Sequence, residues 1–208
     1  KEDIGPGDHS TLSCVPEDAM GKATLLIKED GILAGVELAK EIFHTFDPEM
    51  KLEVFKQDGS AVKKGDVVFI VTGRSRSILS TERLVLNFMQ RMSGIATRTH
   101  ALTEMISSTK TKLLDTRKTT PLIRFLEKWA VTIGGGYNHR FGLYDMILIK
   151  DNHVDFAGGM AQAIQNVMNY CNKKNLTIPI EIEARNMNDV QLIVESGVAF
   201  RVLLDNFT

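Results

Sequence analysis

The sequence predicts an α/β protein in two parts. Residues 1–106 read as a small strand-rich module with one or two helices, ending in a long helix. Residues 107–208 read as strands alternating with helices across short links. That alternation, the long helical pattern before it, and the polar residues placed just after successive strands carry the prediction.

The elements follow in order. Residues 1–20 are polar and punctuated by Gly5, Pro6, Gly7 and Pro16, so they read as loop. Lys22–Lys28 holds an apolar run fit for a strand, and Glu29–Gly31 a turn. Val36–Phe46 has apolar residues at helical spacing and stops before Pro48. Lys51–Lys56 alternates like a strand, and Val62–Val71 is a turn at Gly65-Asp66 followed by a buried strand. From Ser80 to about Ser107 the pattern is helical, with Ser80 or Thr81 as the N-cap and an interruption expected at Gly94. Strands are then expected at Lys112–Asp115, Met146–Ile149, Ile180–Glu183 and Val202–Leu204. Helices are expected at Leu122–Thr132, Gly159–Lys173 and Asn188–Glu195. Such an order implies parallel strands joined by right-handed crossovers, as in a β/α barrel. Only about four β/α units are present where a closed barrel takes about eight. The barrel is therefore expected to be incomplete in this chain, with further residues beyond Thr208. A first residue other than Met carries the same expectation for the N-terminus.

Composition excludes several function classes. A formal net charge of −1 gives no overall attraction for nucleic acid, so any functional charge must be local. No apolar run is long enough to span a bilayer as a helix, so no membrane role is expected. Cys14 and Cys171 have no metal-ligand spacing and form no disulfide framework, which points to a reducing cytoplasm.

The local charge lies in three runs. Asp115-Thr116-Arg117-Lys118-Thr119-Thr120-Pro121 places two cations after an apolar strand and before a helix start. Arginine offers a planar fork to a carboxylate or phosphate, and lysine a compact point charge. Gly134-Gly135-Gly136 precedes Asn138, His139 and Arg140, each able to bind an anion, and the glycines allow close backbone approach to a ligand. Leu148-Ile149-Lys150-Asp151-Asn152-His153 delivers Lys150 at a strand end. If Arg117, Lys118, His139, Arg140 and Lys150 converge at one barrel mouth, their ligand carries several negative charges. Glu181 and Glu183 sit two apart on one strand and face the same way, as either site groups or ion-pair partners of the cations. Asp205 ends the last strand and is a similar candidate. Arg83, Asn87 and Gln90 form a polar stripe on the long helix, with apolar residues on both sides. That helix is expected to be buried nearly all round, with the stripe facing a neighbouring subunit or a site.

These runs resemble quinolinate phosphoribosyltransferase. The matching stretches are Glu2–Thr11, Glu82–Thr97, Leu113–Pro121, Gly134–His153, Glu181–Ala184 and Leu203–Asn206. The resemblance implies a type II phosphoribosyltransferase: an N-terminal α/β sandwich with an open α/β barrel, here truncated. It implies transfer of phosphoribosyl from phosphoribosyl pyrophosphate to quinolinate with decarboxylation, using Mg²⁺. It also implies a homodimer, open to further assembly, in which Arg83 reaches the neighbouring site. By the same resemblance Arg117, His139 and Arg140 hold the quinolinate carboxylates. Lys118 and Lys150 lie close to the substrate and the ribose, and Glu183 and Asp205 meet the ribose and the metal. Lys118, Lys150, Glu183 and Asp205 are thus the catalytic candidates. Specific metal ligands are not assigned. Leu122-Ile123 stands where relatives often carry Gly-Leu, read as a mild change on a helix. The segments that bind the 5′-phosphate are expected beyond Thr208. Rival readings are a related enzyme for nicotinate or a molybdenum-uptake-linked substrate, and a non-catalytic anion-binding subunit.

Overall fold

A computed structural model describes residues 2–207 and divides the chain by packing into two units, Lys1–His139 and Arg140–Thr208. In the first unit, β1 (Met20–Leu26), β5 (Val67–Arg74) and β3 (Lys51–Val54) form an antiparallel sheet in the order β1-β5-β3, with a bulge between Leu25 and Leu26. A second pair joins β2 (Gly31–Ile32) to β4 (Ala61–Val62). Two helices pack on these strands, α2 (Val36–Phe46) and the long α3 (Ser75–Met105). Their core joins Leu33, Val36, Phe43, Val68, Phe69, Val71, Ile78, Val85 and Met89, with Phe43 edge-on to Phe69. A short helix, α1 (His9–Cys14), lies in the stretch read as loop, capped by Asp8, which accepts from the Thr11 N–H at 3.1 Å.

Helix α2 begins after Gly35, whose left-handed φ of 101° and missing side chain leave it without a cap of its own. Asp58, from the β3–β4 loop, accepts from the Val36 N–H at 2.8 Å instead. A cap supplied from 22 residues away leaves no local signature.

Helix α3 starts at Ser75, earlier than the expected cap at Ser80 or Thr81, and runs unbroken through Gly94. It is not buried all round. Ile78, Thr81, Val85, Met89, Met92, Ala96 and Thr99 form one buried face, while Arg83, Asn87 and Gln90 are exposed. The expectation of full burial failed because Leu84 stays partly open to solvent beside the stripe. Ser93 and Thr97 on α3 bond the backbone of Ala34 and Ile32 at 2.9 Å each, so two hydroxyls satisfy a strand edge.

In the second unit β6 (Ile147–Ile149), β7 (Ile180–Ala184) and β8 (Arg201–Leu204) form a parallel sheet in the order β6-β7-β8. Helix α6 (Met160–Lys174) connects β6 to β7, and α7 (Met187–Ser196) connects β7 to β8. The core of Ile149, Val154, Ala163, Ile164, Ile182, Ala184 and Ile193 is aliphatic, as a sheet buried by crossover helices requires. The residues after Lys150 form a helix not expected from the sequence, α5 (Asp151–Ala157). The strand expected at Lys112–Asp115 is a single parallel bridge, Leu114 to Tyr137, within the first unit.

Asp47 fastens the first unit. It ends α2, is 2% exposed, and receives two hydrogen bonds from Arg74 at 2.9 Å and one from the Ser77 hydroxyl at 2.6 Å. Its charge also lies at the N-terminus of α3, where the helix dipole favours an anion. Arg74 above all, then Ser77, holds the Asp47 carboxyl far below the usual carboxylate range. A folded-state pKa below the unfolded value means stability that is present above about pH 4 and lost as pH falls. Asp47→Asn is expected to lower unfolding free energy at pH 7 by about 2 kcal/mol. In urea titrations at several pH values, the gap between the two proteins should narrow below about pH 4. A pH-independent gap counts against the ionised role.

Candidate functional site

The first unit carries Arg117, Lys118 and His139 on two backbone segments fixed by helix α4 (Arg124–Ile133). Apolar residues of α4, Leu126, Trp129, Ala130 and Ile133, pack with Met92 and Ala96 of α3. Two adjacent charged residues on α4, Glu127 and Lys128, are nonetheless buried. Burying a charge is expensive unless it is paired, so their partners explain their presence.

Lys128 is 2% exposed and donates to Asp115 and, at 3.0 Å, to the His139 carbonyl. Asp115 Oδ1 in turn accepts from the His139 N–H at 2.8 Å. With its amide nitrogen turned to Asp115, Asn138 donates to Asp115 Oδ2 at 2.6 Å and to the Lys128 carbonyl at 3.0 Å. Asn138, read as an anion binder, is thus part of the scaffold, because a buried carboxylate claims its amide. Removing one partner of such a buried pair costs about 3–5 kcal/mol. The Leu114–Tyr137 bridge closes the same junction, with Asp115 N–H to Tyr137 O at 3.1 Å.

Glu127 holds the other end of the 115–120 segment. It accepts from the Thr120 N–H at 3.0 Å, the Thr120 hydroxyl at 2.8 Å, and Arg91 of α3 at 2.6 Å. Burial works against this carboxylate, but the bonds from Arg91 and Thr120 outweigh it and hold its pKa below the ordinary value. Between the two anchors the Thr116 hydroxyl accepts the Lys118 N–H at 3.0 Å, tightening the turn. Lys118 is exposed. Arg117 is half-buried, and its Nε is buried with no hydrogen-bond partner. A buried orphan of this kind calls for a ligand or ordered water.

The glycine run serves packing. A Cβ on Gly134 would strike the Ala96 carbonyl oxygen and approach Thr99 Cβ at 2.7 Å, so it seats the chain on α3. Gly136 is similarly close to Val131 and Thr99, and Gly135 has a left-handed φ of 89°. The close approach read as ligand contact is contact with a helix.

The second unit carries Arg140, Lys150, Glu183 and Asp205. Lys150, Glu183 and Asp205 lie at the C-terminal ends of adjacent parallel strands, the end where α/β proteins build sites. Lys150 Nζ is 3.7 Å from Glu183 Oε1, and the Asp151 N–H donates to Glu183 Oε2 at 3.2 Å. His153 Nδ1 accepts the Lys150 N–H at 2.8 Å, so His153 caps α5. Asp205 extends the ladder by donating its N–H to Ala184 O at 3.1 Å, and its carboxylate accepts from the Asn206 amide at 2.9 Å. Glu181 is 1% exposed and pairs with Arg201 at 2.9 Å. The two same-facing carboxylates thus divide, one paired within the sheet and one beside Lys150. Arg140 is buried and donates to the Met146 carbonyl at 3.2 Å.

Arg83 lies exposed on α3, and it is Arg91 that pairs with Glu127 of α4 and donates to the Thr120 hydroxyl at 3.2 Å. Sequence reasoning gave no role to Asp115, Glu127 or Lys128. Two opposite charges side by side on an otherwise apolar helix face were the available signal.

A family model described as "Quinolinate phosphoribosyl transferase, C-terminal domain" matches residues 95–208, and its N-terminal counterpart matches 8–93. A rice (Oryza sativa subsp. japonica) protein named nicotinate-nucleotide pyrophosphorylase [carboxylating], chloroplastic, is 46% identical over 99% of this chain. The chain spans 56% of that relative's length. A Synechocystis protein named probable nicotinate-nucleotide pyrophosphorylase [carboxylating] is 40% identical over 99% of the chain and 68% of its own. The crystal structure of NadC from Streptococcus pyogenes matches with a TM-score of 0.92 at 37% identity, covering 100% of this chain and 72% of that one.

Two outcomes test the geometry. Gly134→Ala must displace the α3 backbone and is expected to cost at least about 2 kcal/mol in chemical unfolding; a neutral result contradicts the packing. Leu122 lies outside α4, fully exposed, with a left-handed φ of 68°. Leu122 is therefore a point of backbone strain outside the helix, and the reading of it as a helical position is corrected. Leu122→Gly is expected to raise stability by about 1 kcal/mol in thermal unfolding; a loss refutes the strain.

Proposed function

We propose, since the chain belongs to the quinolinate phosphoribosyl transferase family, that it transfers phosphoribosyl from phosphoribosyl pyrophosphate to quinolinate with decarboxylation. The products are nicotinate mononucleotide, pyrophosphate and CO₂, a step of NAD biosynthesis. The observation that carries the reading is Arg117, held on an anchored turn with a buried Nε that has no partner. A carboxylate satisfies that fork.

In this reading Arg117, His139 and Arg140 bind the carboxylates of quinolinate, and Lys118 and Lys150 neutralise charge on the substrates. Glu183 and Asp205 accept from the ribose hydroxyls. The quinolinate nitrogen attacks the anomeric carbon while the carbon–oxygen bond to pyrophosphate breaks, its electron pair leaving with pyrophosphate. The residues position the reactants and offset charge in an oxocarbenium-like transition state, without a general base. As CO₂ departs, the electron pair stays on the adjacent ring carbon, stabilised by the positive charge of the new pyridinium nitrogen, and that carbon takes a proton from solvent.

Glu183 and Asp205 are hard oxygen donors, the kind Mg²⁺ prefers. Among the described residues no cluster of three or more His, Cys, Asp or Glu could hold a metal. This donor set fits an ion carried in on the polyphosphate, with these two carboxylates as its protein contacts. When bound, Mg²⁺ offsets the charge of the departing pyrophosphate.

The exposed stripe of Arg83, Asn87 and Gln90 supports a homodimer in which Arg83 serves the neighbouring site. No helix of the described residues is long and apolar enough to cross a membrane. Free Cys14 and Cys171 suit a reducing compartment such as the cytoplasm.

The full natural chain, given quinolinate and phosphoribosyl pyrophosphate, is expected to release CO₂ and pyrophosphate in equal amounts. Arg117→Ala should raise the quinolinate KM about 100-fold while unfolding stays cooperative. An unchanged KM sinks the assignment of Arg117, and absence of both products sinks the reaction.

A further inference from the structure

We propose that Glu127 and Lys128 are positioning residues that clamp the segments carrying Arg117 and His139. The inference rests on the quinolinate reading and deepens it by naming what sets the geometry of its binding groups. Three observations carry it.

First, both side chains are buried in the middle of a helix that apolar residues already pack. Hydrophobic residues of similar volume would seat α4 without the desolvation that two charges incur. Anchorage of α4 alone therefore does not account for them.

Second, apart from the Arg91–Glu127 pair to α3, their side-chain hydrogen bonds end on the two segments. Lys128 reaches Asp115 and the His139 carbonyl, while Glu127 reaches the Thr120 N–H and hydroxyl. Neighbouring residues on one rigid helix thus hold the first and last residues of a six-residue segment. Arg117 and Lys118 lie between the two holds. Lys128 adds a hold on His139, whose N–H is bonded to the same Asp115.

Third, the clamp leaves one nitrogen of the binding group unpartnered. Arg117 Nε is buried and unpartnered, although the residues on either side of its turn are bonded. A segment fixed at both ends keeps that nitrogen ready for a ligand at no ordering cost on binding.

The test uses the full natural chain with quinolinate as the titrant. Glu127→Ala is expected to weaken quinolinate binding by about 10-fold to 100-fold in calorimetry. Glu127→Gln keeps acceptors for Thr120 and should restore affinity to within about threefold. The Arg117 Nε–H resonance in nitrogen-15 spectra should shift or broaden in the Ala variant and return in the Gln variant. Wild-type affinity together with an unmoved Arg117 resonance in Glu127→Ala overturns the clamp. If the Ala variant does not fold, Thr120→Val removes one of the same bonds, and unchanged affinity and resonance there also overturn it. Wild-type protein that binds no quinolinate sinks the substrate reading instead, and the clamp is then judged by the Arg117 resonance alone.

Discussion

The buried pair of Lys128 and Asp115 is the constraint on which the candidate binding groups of the first unit depend. Neither charge is tolerable there alone, and together they leave lone pairs and protons to be satisfied. The His139 backbone and the Asn138 amide meet that demand. Two segments distant in sequence are thereby drawn to one point, and the parallel bridge at Leu114 follows. A buried ion pair contributes modestly to net stability, but its geometry is demanding. Here that demand falls on the backbone that presents Arg117 and His139.

The second unit uses a different logic. Its strands are parallel, its core is aliphatic, and its polar groups gather at strand ends because the crossover helices bury everything else. Glu183 is beside Lys150, whereas Glu181 is neutralised by Arg201 on the next strand. Two carboxylates on one face thus have separate tasks, set by which strand residue lies opposite. Glu181 pairs in register with Arg201, and Glu183 with Leu203.

Much of this was legible in the sequence because the informative signals are local. Helix α2 follows from the spacing of its apolar residues, and its bounds match the expected Val36–Phe46. Parallel alternation in the second unit and Lys150 at a strand end could be read because period and position lie within a few residues. What stayed hidden depends on contacts distant in sequence. The cap of α2 is Asp58, the start of α3 is fixed by Asp47, and the partner of Lys128 is 13 residues away. A buried lysine on a helix looks the same in sequence as a solvated one. The triple glycine was visible, but its neighbour was not, so a packing feature read as a ligand feature.

That glycine contact has a genetic consequence. The obstacle facing a side chain at position 134 includes the Ala96 carbonyl oxygen, which is main chain. No substitution on α3 can shorten a carbonyl. Thr99 could be trimmed to smaller residues, yet the Ala96 oxygen would stay in place. A lesion at Gly134 should therefore lack simple second-site suppressors on the facing helix, and relief would require the helix itself to shift. Positions in α3 that look permissive by side-chain size are thus coupled to a loop that permits no growth.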